Sequence, residues 1–407
     1  IGMYPQINKK SGWQGCNLTE INGGKCNTEE DFYKACRAAS ILGTLQAGYT
    51  DFKFLTDTSK EIFDREALLG VSITGWMNNP SILFDEKILE KGAQIVKDVN
   101  REVAEIIGIN PAARTTCVKP SGNASVLLQT ASGIHAEHSS MYIRNVQMNK
   151  ESEITQAIMK TNPYMVEDSV WSAGGTDVVV SFPILPNKGS MYKDDLLGIK
   201  HLELVKKAQK HWVETGTNEE LCADEGIRHN VSNTIIVDDW DEVEKYVFEN
   251  RDAFAGISFL AMTGDKDYNQ APNTAVITAK DMVKKYGNAA VFASGMVVDS
   301  LKCFPNLWDA CATAKGFGQD ISLESSENAM KKDWIRRFTK FADNYLASDN
   351  DLAEHCLKDA YLLHKWNKIQ STLKTVDWKE DITERKYTDV DTLAAAACAA
   401  GACEIDF

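Results

Sequence analysis

The sequence predicts an α/β protein, built from βα units around a largely parallel sheet that is either open or closed into a barrel. Three observations predict it. Short apolar, β-branched runs alternate with amphipathic helical stretches over the first 265 residues. A strand–turn–helix signature occupies Arg114–His138, where Pro120-Ser121-Gly122-Asn123-Ala124-Ser125 separates two apolar runs. Beyond about Pro272 the strand signal stops and helical periodicity replaces it.

Ile1–Gly15, rich in Gly, Pro, Asn and Lys, reads as a loop. Cys16–Ile21 is strand-like and is closed by Asn22-Gly23-Gly24. Thr28 to Asp31 caps a helix over Phe32–Gln46. A short helix is expected at Asp64–Leu69 and a buried strand at Leu69–Gly75. Asp85–Ile107 carries a broad apolar stripe and ends at Gly108 and Pro111. Thr115–Val118 is β-branched enough for a short strand, and Ser125–Ala131 reads as buried helix. Strands follow at Met141–Val146, Asp177–Phe182, His229–Val237 and Gly256–Met262. Helices lie between them at Ser152–Thr161, Leu196–Glu214 and Trp240–Arg251. Lys280–Tyr286, Leu323–Ala347 and Leu352–Leu373 are then helical, and Val376–Asp391 is a charged linker.

At 407 residues the chain can bury a large core and divide into two or three domains. Hydrophobic residues at 43% and charged residues at 25% are ordinary for a globular protein. A net charge of −14, with both signs mixed along the chain, argues against nucleic-acid and anionic-membrane partners. No run approaches the roughly 20 apolar residues of a membrane span. Ten cysteines without a CxxC pair suit the reduced thiols of a cytoplasmic protein better than a disulfide scaffold or structural zinc site. Most of them, Cys117 included, read as small core hydrophobes.

Two stretches carry chemistry. In Pro120–Ser125 a proline fixes φ, a glycine permits close approach, and two hydroxyls precede a helix start whose N–H groups lack internal partners. A phosphate cradle fits these residues, and so does an ordinary turn with Ser121 or Asn123 as N-cap. Near the C-terminus Cys398 and Cys403 stand five apart with only Ala and Gly between them. They suit either a redox shuttle on a mobile tail or an Ala-rich helix with incidental cysteines. The basic cluster Lys331-Lys332 with Arg336-Arg337 reads as a solvated helix face.

Together these stretches resemble the catalytic subunit of ribonucleotide reductase, of the adenosylcobalamin-dependent class II. The matching pieces are CNLTEI (Cys16–Ile21), GTLQAGYTDF (Gly43–Phe52), ALLGVSITG (Ala67–Gly75), ARTTCVKPSGNAS (Ala113–Ser125), SGIHAEH (Ser132–His138) and YIR (Tyr142–Arg144). HNVSNTIIV, ENRDAFAGIS (Glu249–Ser258) and the terminal CAAGAC complete the set. The resemblance implies a ten-stranded α/β barrel, of which 1–275 would be the C-terminal part. Residues 276–375 would be a helical insertion, and 376–407 a linker with a redox-active tail. It implies reduction of ribonucleotides, triphosphates favoured over diphosphates, by a thiyl-radical mechanism with adenosylcobalamin as cofactor. Cys16 matches one of the two reducing thiols, with Leu18 near the substrate. Pro120, Ser121, Gly122, Asn123, Ala124 and Ser125 match the loop that holds the substrate phosphates. Cys398 and Cys403 match the tail dithiol that re-reduces the pair and exchanges with thioredoxin or glutaredoxin. No metal-ligating set is expected from the chain itself, and His135 and His138 are expected to be structural.

The departures are equally specific. The family's radical cysteine lies in an Asn-x-Cys-x-Glu motif upstream of the position of Cys16, and Ile1–Gly15 contains no such motif. The chain is therefore expected to be a fragment, or the second piece of a split reductase whose N-terminal half is a partner. Ala261 and Met262 stand where class I enzymes carry a tyrosine pair, and no class III glycyl-radical motif is found, which leaves the cobalamin class. Two other readings stay open. One is a non-catalytic nucleotide-binding protein on a degenerate barrel, and the other a simple thiol-disulfide oxidoreductase.

Overall fold

A computed structural model describes residues 6–262, 268, 270–315 and 325–378. The chain divides into two compact units, Ile1–Ser140 with Pro186–Gly264, and Met141–Leu185 with Asp265–Phe407.

The first unit is organised by parallel backbone pairing. Asn17–Asn22 pairs with Leu69–Thr74 in parallel, Leu18 opposite Gly70 and Glu20 opposite Ser72. Leu69–Thr74 bridges in parallel to Thr116 through Val71, and Val118 bridges in parallel to Val231. Thr234–Val237 then pairs in parallel with Ser258–Ala261. Five segments thus follow one another side by side in chain order. Because side chains alternate across a strand, one set faces the helices and the other faces away. Thr19, Leu69 and Val71 belong to the helix side: Thr19 Oγ1 donates to the Ala39 carbonyl at 3.2 Å, and Leu69 Cδ1 fills the space beside Gly43. The core on that side joins Ile21, Leu69, Val71 and Ile73 to Phe32, Leu89, Val96 and Trp212.

The helices start where short polar side chains can cap them. Thr28 and Asp31 form a reciprocal capping box on Glu29–Ala47, and Asp85 caps Glu86–Ile107, which Gly108 ends in the left-handed region. Thr56 caps Asp57–Glu66 and Ala67 closes it at φ 42°, so this helix precedes the expected Asp64–Leu69. The single helix expected at Leu196–Glu214 becomes Gly198–Ala208 followed by a π-helical turn, Gln209–Glu214, that buries Trp212. Thr115–Val118 forms alternating bridges rather than a continuous strand, since Arg114 instead bridges antiparallel to Thr217.

The second unit corrects the expectation of a largely parallel sheet. Tyr142–Asn149 and Asp177–Ile184 pair antiparallel along their full length, with Val166–Asp168 and Asn273–Ala275 as outer strands. An apolar run such as DVVVSF is buried equally well in either orientation, so the pattern could not tell them apart. Helix Glu153–Thr161 lies between the two central strands in sequence, and helices Ala279–Tyr286, Ala289–Cys303, Leu307–Lys315, Ser326–Tyr345 and Asn350–Thr372 follow the sheet. Met282, Val297, Trp334, Phe338 and Leu357 form their core. Asn350–Thr372 also packs on the sheet, through Ile369 against Val178 and Val180 and through Leu362 and Trp366 against Ile143. That packing is why 141–185 groups with the helices, whereas the sequence placed the division near 275. Lys331, Arg336 and Arg337 form ion pairs with Glu327, Asp333 and Asp299. Among the described residues no sheet closes into a barrel, and no helix is long and apolar enough to cross a membrane.

Candidate active site

The face of the parallel segments turned away from the helices carries Leu18 and Glu20 on the first strand, with Cys16 just before it. Gly70 and Ser72 stand on the second, and Cys117 and Lys119 on the third segment. Gly70 is the buried centre of this face. A Cβ there would lie 2.6 Å from Leu18 Cδ2, 2.7 Å from Cys16 Sγ and 3.1 Å from Cys117 Sγ. Two sulfurs and a leucine methyl therefore converge on space that only glycine leaves open.

Cys16 is a free, solvent-exposed thiol on one side and is crowded by these neighbours on the other. The crowding pushes its thiol up to about 11, an upward shift that the charges of Lys119 and Arg114 partly offset. Cys117 is buried; burial and the neighbouring Cys16 hold its thiol well above the usual range. Glu20 accepts from Ser72 Oγ at 3.2 Å, and Ser72 Oγ in turn accepts from the Lys119 backbone N–H at 3.0 Å. Burial raises the Glu20 carboxyl, with Ser121, Ser72 and Lys119 pulling the other way.

The turn lies at the carboxyl end of the third segment. Ser121 sits at the N-cap position of Gly122–Leu128 in the left-handed region, φ 55°, yet its side chain caps nothing. Its Oγ is buried with no partner at hydrogen-bond distance, although it is near enough to lower the Glu20 carboxyl. An ordinary Ser121-capped turn is thus not what forms, and a left-handed non-glycine residue with an orphaned hydroxyl marks local strain. Gly122 and Asn123 are exposed, while Ser125 is buried and donates to the Gly122 carbonyl at 2.9 Å. Pro120 is exposed, and its carbonyl accepts from Ser132 Oγ.

Of the residues expected from sequence, Cys16 and Leu18 share the Gly70 face. Glu20, four residues along the same strand and so about 13 Å from Cys16, reaches the Ser121 turn. His135 has both ring nitrogens engaged, with the Ser132 carbonyl at 2.9 Å and the Thr234 N–H at 3.0 Å, and His138 lies 3.1 Å from Lys193 Nζ. Cys398 and Cys403 lie outside the described residues. Among the described residues no cluster of three or more His, Cys, Asp or Glu could hold a metal ion. Sequence reading missed Glu20, Gly70, Cys117 and Lys119. Their signal was the alternation within CNLTEI, LGVSIT and TTCVK, which acquires meaning only once the strand register is known.

No family profile matches the chain. It is 27% identical over 205 residues to a probable adenosylcobalamin-dependent ribonucleoside-triphosphate reductase of Dictyostelium discoideum, covering 49% of this chain and 26% of that one. It is 25% identical over 225 residues to the adenosylcobalamin-dependent ribonucleoside-triphosphate reductase of Euglena gracilis, covering 53% and 30%. The chain is related to the adenosylcobalamin-dependent ribonucleotide reductases. A similarly named protein of Lactobacillus acidophilus is 23% identical over 203 residues, covering 41% of this chain and 27% of its own length. In fold, the chain is similar to a crystal structure of a B12-dependent (class II) ribonucleotide reductase. The TM-score is 0.53 at 17% identity, over 66% of this chain and 39% of that one. The chain thus spans between a quarter and a third of the length of the curated relatives it matches.

Proposed function

We propose that this chain supplies the wall of a ribonucleotide reductase active site on which the nucleotide's sugar meets a reducing thiol. The observation that carries the reading is the convergence of Cys16, Leu18 and Cys117 over the buried Gly70, with Cys16 and Leu18 exposed, on the face of the parallel segments turned away from the helices. The overall reaction consumes a ribonucleotide and two thiols and yields a 2′-deoxyribonucleotide, water and a disulfide. Cys16 serves as one of the two thiols. Held above the neutral range, it keeps its proton at pH 7, which suits a group that must pass a proton to a departing hydroxyl. The second reducing thiol and the radical cysteine belong to the length of the relatives that this chain does not cover. The same length completes the ten-stranded barrel.

In this reading Pro120–Ser125 holds the substrate phosphates, at the helix start where Gly122 and Asn123 are exposed. Triphosphate is the favoured substrate, following the names of the relatives. Cys398 and Cys403 re-reduce the active-site disulfide by thiolate attack and pass the electrons on from thioredoxin or glutaredoxin. Adenosylcobalamin is assigned from the relatives' names.

The test is ribonucleotide reduction by the chain with adenosylcobalamin and a dithiol, alone and with an added polypeptide bearing the Asn-x-Cys-x-Glu segment. Turnover is expected only in the mixture, and Cys16→Ser should lower it by at least about a thousandfold. Full turnover by the Cys16→Ser mixture would end the reading.

A further inference from the structure

Ala289–Cys303, in the helical part of the second unit, is apolar nearly all round, and its charged residues, Asp299 and Lys302, stand near its end. A helix of that composition is normally enclosed. One side of it, with Ala290, Ala293, Met296 and Val297, is buried in the core. The other leaves Val291 69% and Phe292 48% exposed, and a Cβ built on Gly295 would meet nothing within 4 Å. This open side forms one wall of a cleft of about 600 Å³ whose other wall is Ser326–Tyr345. Phe292 and Tyr345 lie ring against ring there, 4.1 Å between centroids, with the buried Met296 and Phe341 at the floor.

Asp299, Arg337 and Lys340 are the charged side chains that line the cleft. Asp299 pairs with Arg337 at 2.7 Å and with Lys302 at 2.9 Å, and Arg337 also reaches Asp333 at 3.0 Å. Lys340 is exposed and makes no ion pair among the described residues, so the rim keeps a positive charge in a chain whose net charge is −14. A cleft of this volume takes a few side chains, whereas a stable subunit interface buries at least about 1,200 Å², so a short peptide suits it better than a second copy. The chain itself carries such a peptide. Residues 379–407 lie outside the described residues and include Glu404-Ile405-Asp406-Phe407, where acids alternate with large apolar residues. Alternate side chains of an extended peptide point opposite ways, so Ile405 and Phe407 can enter an apolar cleft while Glu404 and Asp406 stay at its wet edge. Fully extended, the chain between Trp378 and Glu404 reaches on the order of 80 Å, well beyond the breadth of a unit of this size.

We propose that Glu404–Phe407 docks in the cleft between Ala289–Cys303 and Ser326–Tyr345. Ile405 and Phe407 cover Val291, Phe292 and Tyr345, and the two acids lie beside Lys340. Apolar burial supplies the affinity, and the charge of Lys340 sets the register. Cys403 immediately precedes the docked segment, so the tail dithiol is held on this unit between rounds of reduction. That use rests on the reductase reading; the docking itself does not.

The experiment is photo-crosslinking in the full chain with p-benzoylphenylalanine in place of Val291, read by peptide mass spectrometry and needing neither nucleotide nor turnover. The same probe in place of Phe292 serves if the first variant does not fold. Crosslinks are expected to Glu404–Phe407 of the same molecule, established with a mixture of isotope-labelled and unlabelled chains. Glu404→Lys with Asp406→Lys should lower the yield about threefold to tenfold, and added salt should lower the yield of the unaltered tail. Lys340→Glu should lower the yield with the native tail and raise it with the reversed one. Crosslinks that miss the tail would overturn the proposal, as would a yield indifferent to the tail's charges or Lys340→Glu acting with one sign in both backgrounds. Crosslinks between molecules would also overturn it and would put a second copy in the cleft.

Discussion

Leu69–Thr74 in the first unit and Asp177–Ile184 in the second are both central, mostly buried strands, but they spend their burial differently. In LGVSIT the large residues Leu69, Val71 and Ile73 pack toward the helices, while Gly70, Ser72 and Thr74 alternate with them on the other face. In DVVVSFPI, Val178 and Val180 pack on Ile158, Met165 and Ile369, and the opposite face carries Val179 toward Asn145, Gln147 and Trp171. Both strands stabilise a core. Only the first has small residues along one face, where two thiols meet over Gly70 and a carboxyl is held at Ser72. Chemistry follows the strand whose alternation is large against small rather than apolar throughout.

The largest difference expected between the units is in acid. The first unit buries His201 and half-buries His135 and His229, and loss of hydration lowers all three, His201 and His229 to about 4. Each is neutral when folded and takes a proton more readily when unfolded. The stability that His201 and His229 confer is therefore complete above about pH 6.5 and is lost as pH falls toward 4, at roughly 1.4 kcal/mol per pH unit for each of the two, and His135 acts in the same direction. Chemical denaturation followed by Trp212 fluorescence should weaken steeply between pH 6.5 and 4. His201→Gln should flatten that slope; an unchanged slope would count against burial as the cause.

A smaller effect sharpens the role of the small-residue face. Gly70→Ala meets Leu18, Cys16 and Cys117 at 3.1 Å or less, so it should cost about 1–3 kcal/mol in denaturant and alter the rate of Cys16 alkylation. Gly122→Ala, one turn away in function, meets nothing within 4 Å and needs no left-handed φ. It should be neutral, or stabilising by up to about 1 kcal/mol, because glycine weakens a helix. Equal effects at the two positions would erase the distinction between surface and turn.

Local rules made much of the fold legible. The Thr28 box, Asp85 and Gly108 mark helix ends by hydrogen bonds within a few residues, and the sequence shows all of them. Strand orientation depends on partners far along the chain, so the antiparallel pairing of Tyr142–Asn149 with Asp177–Ile184 did not show in an apolar pattern. The site divides the same way. Cys16 and Leu18 stood out through motif resemblance, whereas Gly70 and Lys119 gain their place from a register set by residues 45 to 113 positions apart.

The most direct test of the account is nucleotide protection of Cys16. A saturating ribonucleoside triphosphate should slow maleimide labelling of Cys16 at least fivefold and leave the labelling of Cys303, in the helical core of the second unit, unchanged. Labelling of Cys16 at the same rate with and without nucleotide would mean that no sugar rests against this sulfur, and the assignment of the face would fall.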